Sequence, residues 1–169
     1  GMKARRLRAL LGAEVNLVAY HLPLDAHPEL GNNRQLGLAL GFGDARPISG
    51  LVWGAELEQP LAPDQLSERI EQVLGRKALR VGPEKVLRRI AWCTGAAQDE
   101  IEQAAAAGCD AFVSGEISEQ TLHQANELGI SYFAAGHHAT ETFGVHALGE
   151  ALAERFAVQH AFINLENPI

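Results

Sequence analysis

The segment AAGHHATETF, residues 134–143, carries His137 and Glu141 four residues apart, where an apolar run gives way to a helical pattern. Residues four apart on a helix share a face, so an imidazole nitrogen and a carboxylate oxygen can reach one ion. Without a thiolate in the pair, these donors suit divalent Zn, Mn or Fe. The same residues also have a structural use: Glu141 near a helix N-terminus complements the macrodipole, and His137 can cap the turn.

Two other segments carry comparable residues. YHLPLDAHPELGNN, residues 20–33, holds Asp25 on a Pro-restricted loop with His21 and His27. A carboxylate on a stiff loop loses little rotamer freedom when it binds, which suits a bridging ligand. The alternative is an Asx-turn ahead of Pro28. Asn32 and Asn33 read as the start of the helix NRQLGLAL rather than as substrate contacts. FVSGEISEQTLHQA, residues 112–125, places Glu116 at a strand end and His123 one to two turns into the next helix. Without a G-x-S-x-G elbow, Ser114 and His123 make no hydrolase triad, and His123 reads as structural. Glu116 is either a general base or a group that orients a neighbouring ligand.

The elements that must position these groups follow from periodicity. Strand-like apolar runs occur at 15–21, 48–57, 78–82, 89–95, 110–116, 130–136 and 157–165. Helical patterns occupy 63–75, 96–108, 118–129 and 139–156, several ending in Gly. From residue 89 onward the two alternate, which predicts an α/β fold with a mainly parallel or mixed sheet and helices packed on it. Ligands in such sheets collect at the carboxyl ends of strands. Those ends are predicted to bear His21 and Asp25, Thr94, Ser114 and Glu116, and His137 and His138, with Glu141 in the opening turn of the last helix.

The 169 residues, 47% of them hydrophobic, can bury one ordinary core. Fourteen Lys and Arg against twenty-one Asp and Glu give a net charge of −7, which speaks against direct nucleic-acid binding. The basic stretch MKARRLRALL reads as an amphipathic helix with Leu7, Leu10 and Leu11 on its apolar side. Two cysteines without a CxxC read as buried small hydrophobes in a reducing cytosol. No apolar run approaches the ~20 residues needed to span a bilayer. A cytoplasmic protein with no membrane partner is expected, and Gly1 ahead of Met2 reads as the residue left by a cleaved tag.

Taken in order, LPLDAHPELGNN, RIAWCTG, DAFVSGEISEQTLHQA and GHHATE closely resemble the bacterial GTP cyclohydrolase I type 2 homologues, also called NGG-interacting-factor-three-like proteins. The resemblance runs from about residue 2 to the ENPI end. It implies a two-module α/β fold, a dinuclear divalent-metal centre in a cleft, and ring-shaped homo-oligomers, often hexamers. By position, Asp25, His137 and Glu141 match metal ligands, while His138 and His21 match groups beside them that steady a ligand or face substrate. Glu116 or His138 would then move protons for a metal-dependent hydrolase acting on a nucleotide such as GTP. The family's other ligands are a His-His-Gly pair upstream, and no such pair occurs in residues 1–24. The expectation is therefore an incomplete first module (1–47), a C-terminal α/β module (48–169) whose residues 135–169 help form the metal cleft, and one ion or none instead of two. Catalysis would be impaired. The competing expectation is a non-catalytic metal-binding scaffold or regulatory protein that acts through a homo-oligomeric ring.

Overall fold

The computed structural model describes residues 1–169. Helices α1 (Met2–Gly12), α2 (Leu22–Asp25) and α3 (Asn32–Ala39) precede a hairpin of β1 (Arg46–Ser49) and β2 (Val52–Leu61). There follow α4 (Pro63–Leu74), β3 (Leu79–Val81), β4 (Leu87–Cys93), a 3-10 turn leading into α5 (Ile101–Ala106), and β5 (Ala111–Ser114). The chain ends with α6 (Glu119–Leu128), β6 (Ser131–Ala134), α7 (His137–Thr140) and α8 (Phe143–Phe156). The six strands form one mixed sheet in the order β1-β2-β4-β5-β6-β3. Strands β4, β5 and β6 are parallel, and the other pairings are antiparallel.

The sheet is buried on both faces, and the alternation of side chains shows how. On β4, Ile90 and Trp92 point into one core with Leu36, Leu40, Leu66 and Ile70 from α3 and α4 and the neighbouring turn. Ala91 and Cys93 point into the other, with Ile101, Ala104 and Ala125 from α5 and α6. Period two along each strand therefore sorts the apolar residues between two helical layers. Leu36, Leu40 and Phe42 share a core with Val113 and Phe133, so α3 is seated directly on the central sheet.

Several expectations are corrected. Residues 15–20 form no strand: they are exposed coil, and no neighbouring strand pairs with them. Residues 157–165 are likewise coil. The single strand expected over 48–57 is a hairpin turning at Gly50, and the long final helix is broken between α7 and α8. Helix α1 exists, yet it buries no residue, so Leu7 and Leu11 remain exposed.

Asp110, in the turn before β5, staples the start of β4. Its Oδ2 accepts the N–H groups of Arg88 (2.8 Å) and Arg89 (3.1 Å), and Lys85 Nζ lies 3.4 Å from Oδ1. Burial alone would raise its pKa, but these donors outweigh it and hold the carboxyl below its usual 3.8. A depressed folded-state pKa means that the stabilisation is present above the unfolded value and lost as pH falls through the folded one. Asp110→Asn is thus expected to cost about 1 kcal/mol at pH 7 and almost nothing near pH 2, measured by urea unfolding at both.

Candidate metal centre

The loops that follow β4, β5 and β6 converge at the carboxyl edge of the parallel strands. Pairing continues past the strands themselves: the N–H of Ala135 donates to Ser114 O (2.7 Å), Gly136 to Gly115 O (2.9 Å) and Gly115 to Gly95 O (2.9 Å). A Cβ on Gly115 would stand 2.6 Å from Gly95 O and 2.7 Å from His137 Cα, so only glycine allows this approach. Gly95, at φ 70°, forms the floor of the site: a Cβ there would overlap Glu141 Oε1 and lie 3.3 Å from His137 Nε2. Buried Thr140 locks the third loop, accepting the Gly95 N–H (3.1 Å) and donating to Gly136 O (3.0 Å).

His137 opens α7 directly after this junction. Its Nδ1 is 2.6 Å from Glu116 Oε1, and its Nε2 is 3.2 Å from Glu141 Oε2. The bond to Glu116 raises the imidazole pKa, burial partly opposes this, and Glu141 adds to the rise. Glu116 is itself anchored where its carbonyl accepts the Tyr132 hydroxyl. Glu141 caps the end of α7 ahead of α8, a correction to its expected place inside the last helix. Burial pushes the Glu141 carboxyl up, the charge of Asp25 adds to this, and His137 and His21 pull it back.

Asp25 ends the single turn α2 and is 5% exposed. It forms no Asx-turn. Instead Oδ1 accepts from Asn32 Nδ2 (2.8 Å), while Asn32 Oδ1 accepts the Gly144 N–H (2.7 Å) at the start of α8. Asn33, fully buried, spans from the Asp25 carbonyl (3.4 Å) to the Thr94 N–H (2.9 Å) beyond β4. The two asparagines do begin α3, as read from sequence, but their larger role as clamps on the Asp25 loop was missed. Their partners lie 61 and 112 residues away, beyond any local signal.

The remaining candidates are spread around this junction. His21 caps α2 instead of ending a strand, and its carbonyl accepts the N–H of Leu24 (3.0 Å) and Asp25 (3.2 Å). His138 turns toward the chain's end: Nε2 meets Asn164 Oδ1 at 2.9 Å, and its N–H donates to Ile169 O (3.2 Å). His123 is exposed on α6. Burial pushes the Cys93 thiol up to about 12, with Glu100 and Asp25 adding to it, so it is a poor thiolate donor at neutral pH. His137 and Glu141 are in contact and Glu141 lies in the field of Asp25. No three His, Cys, Asp or Glu side chains stand close enough together to hold an ion as they are arranged.

A mixed sheet whose parallel strands end in a histidine–carboxylate cleft defines a class of α/β proteins with the site at the sheet's carboxyl edge. The chain belongs to the Duf34/NIF3 (NGG1p interacting factor 3) family, whose model matches residues 1–168. It is 58% identical over 172 residues to a GTP cyclohydrolase 1 type 2 homolog of Allochromatium vinosum, covering 99% of this chain and 68% of that protein. Among solved structures, protein ybgI, of unknown function, superposes with a TM-score of 0.94 at 50% identity, over 100% of this chain and 69% of that one. TTHA1606 from Thermus thermophilus gives 0.92 at 33% identity, with the same coverage. The chain thus spans about two thirds of the length of these relatives. No helix is long and apolar enough to cross a membrane.

Proposed function

We propose that this chain binds a divalent metal ion, of the Zn, Fe or Mn kind, through Asp25, His137 and Glu141, and that the centre serves a metal-dependent hydrolase resembling a GTP cyclohydrolase. One observation carries the reading: His137 is held between two carboxylates, Glu116 at Nδ1 and Glu141 at Nε2. Metal-bound histidines ordinarily have this kind of partner behind them, fixing the tautomer and presenting the far nitrogen. Buried Asp25 raises the energy of the neighbouring Glu141 charge, and a positive ion that drew the three side chains together would offset both.

A divalent ion bound there would supply Lewis acidity. The chain's own groups do the rest. Glu116 keeps the proton on His137 Nδ1. Asn32 holds Asp25 by its Oδ1. His138, on the cleft wall, is the candidate proton carrier for a nucleotide substrate. Three protein ligands suit one ion better than two. Elemental analysis of the purified protein is expected to find at most about one ion per chain, and Asp25→Asn to reduce it further; two tightly held ions per chain would overturn this. Incubation with GTP and metal, beside Asp25→Ala, tests the activity, and absence of turnover by both proteins would remove the enzymatic reading.

The second reading is a non-catalytic metal-binding scaffold working as a homo-oligomer. It is favoured by an exposed apolar surface including Val18, Tyr20, Val145, Leu152 and Ile163, of the kind that promotes association.

A further inference from the structure

The cleft does not end at His137 and Glu141. A cavity of about 470 Å³ bordered by those residues shares His138, Thr142 and Asn167 with a second one of about 810 Å³, so the two form one trough. The second cavity is also lined by Arg76 and Lys77, just beyond α4. Arg76 is seated by the absence of a side chain at Gly136: a Cβ there would be 2.7 Å from the guanidinium Cζ and 3.0 Å from Nε. Its guanidinium therefore lies on the backbone that immediately precedes His137.

Like most Lys and Arg of the chain, Arg76 and Lys77 take part in no ion pair, so both charges are free to meet a ligand in the cavity they line. Glu166 is the one carboxylate on the wall of that second cavity. Arg76 and Lys77 are consecutive and line the same cavity, so an anion entering it would meet two positive charges. A guanidinium beside an ammonium matches a phosphate in both charge and donor geometry. The chain has no Gly-rich phosphate loop, so side chains must supply that charge.

We propose that Arg76 and Lys77 form an anion subsite that holds the phosphate of a phosphorylated small molecule, the rest of which lies along the trough toward His137 and Glu141. The subsite itself stands on the cations and the cavity; what the ligand's other end meets rests on the metal-centre reading. Pyrophosphate, GTP and guanosine titrated calorimetrically into the full chain at low salt test it.

Both phosphate probes are expected to bind, and guanosine at least about tenfold more weakly than GTP. Arg76→Ala combined with Lys77→Gln is expected to weaken both phosphate probes at least about tenfold with metal content unchanged. Lys77→Gln alone, at an exposed position, should weaken them in the same direction without risk to folding. Pyrophosphate as tight as GTP would uphold the subsite with inorganic phosphate as a sufficient ligand, and tighter GTP would uphold it with a nucleotide. Equal affinity of the double variant and the unaltered chain, guanosine as tight as GTP, or no binding of either phosphate probe would overturn it. Charge-dependent binding by protein that takes up no metal would retire the metal reading and leave the subsite standing. The reverse result would retire the subsite alone.

Discussion

Trp92→Ala is expected to destabilise the protein by about 4 kcal/mol, a fall of roughly 10 °C in Tm by scanning calorimetry. Trp92 is fully buried at the centre of the sheet on β4, stacked on Phe42 with ring centroids 5.3 Å apart. Its ring is pressed against Gly37, which has no Cβ to keep α3 away, and its Nε1 donates to Asn33 O at 2.8 Å. The residue thus wedges α3 onto the sheet and fixes the height at which Asn33 begins the helix. Truncation leaves a large cavity and removes the indole donor from the Asn33 carbonyl, two separate losses. Trp92→Phe keeps the stacking and removes the donor, so it should cost about 1–2 kcal/mol. A shift below roughly 3 °C for the alanine variant would mean that α3 is held by something else.

Gly115→Ala should act on the site as strongly as on the fold. The new methyl group would meet Gly95 O at 2.6 Å, His137 Cα at 2.7 Å and His137 N at 3.0 Å, all of them backbone atoms. Flexible side chains can step aside from an added carbon, whereas three hydrogen-bonded loops cannot move independently. A cost of about 3 kcal/mol is expected, at the upper end of the usual range for overpacking. His137 would be displaced from Glu116, so, if the proposed metal site is the function of this junction, metal uptake should fall further than the stability loss alone explains. Metal uptake measured well below the unfolding temperature separates the two effects. Full uptake together with an unchanged Tm would show that the loops can part without loss.

Much of the fold could be read from residue patterns where the signal was local. The runs RIAWC, AFVS and SYFA are short, apolar and bounded by turn residues, and they fall in β4, β5 and β6. The patterns over 63–75 and 118–129 bury Leu66 with Ile70, and Thr121 with Ala125, each at helical spacing. Residues 15–21 and 157–165 show where local pattern stops deciding. Both have the β-branched and aromatic content of strands, but a strand needs a partner, and none is adjacent to them. The same divide holds at the candidate centre. His137 with Glu141 is a four-residue relationship, visible in the chain. Glu116 behind His137, and Asn32 behind Asp25, depend on loops meeting in space, so Glu116 could be singled out while its partner could not, and the asparagines were read only as a helix start.

The Asn32 side chain has a further consequence. While donating to Asp25 it accepts the Gly144 N–H, closing a span of 112 residues between Asn32 and Gly144. Contacts so distant in sequence carry the largest loop-closure entropy and form late in folding. A growing chain therefore has no assembled centre until α8 has been made and has docked, and the centre opens again whenever α8 or the Asp25 segment lets go. Any ligand that needs Asp25 in place binds the finished topology and nothing less. Its binding free energy is added to the stability of the entire fold.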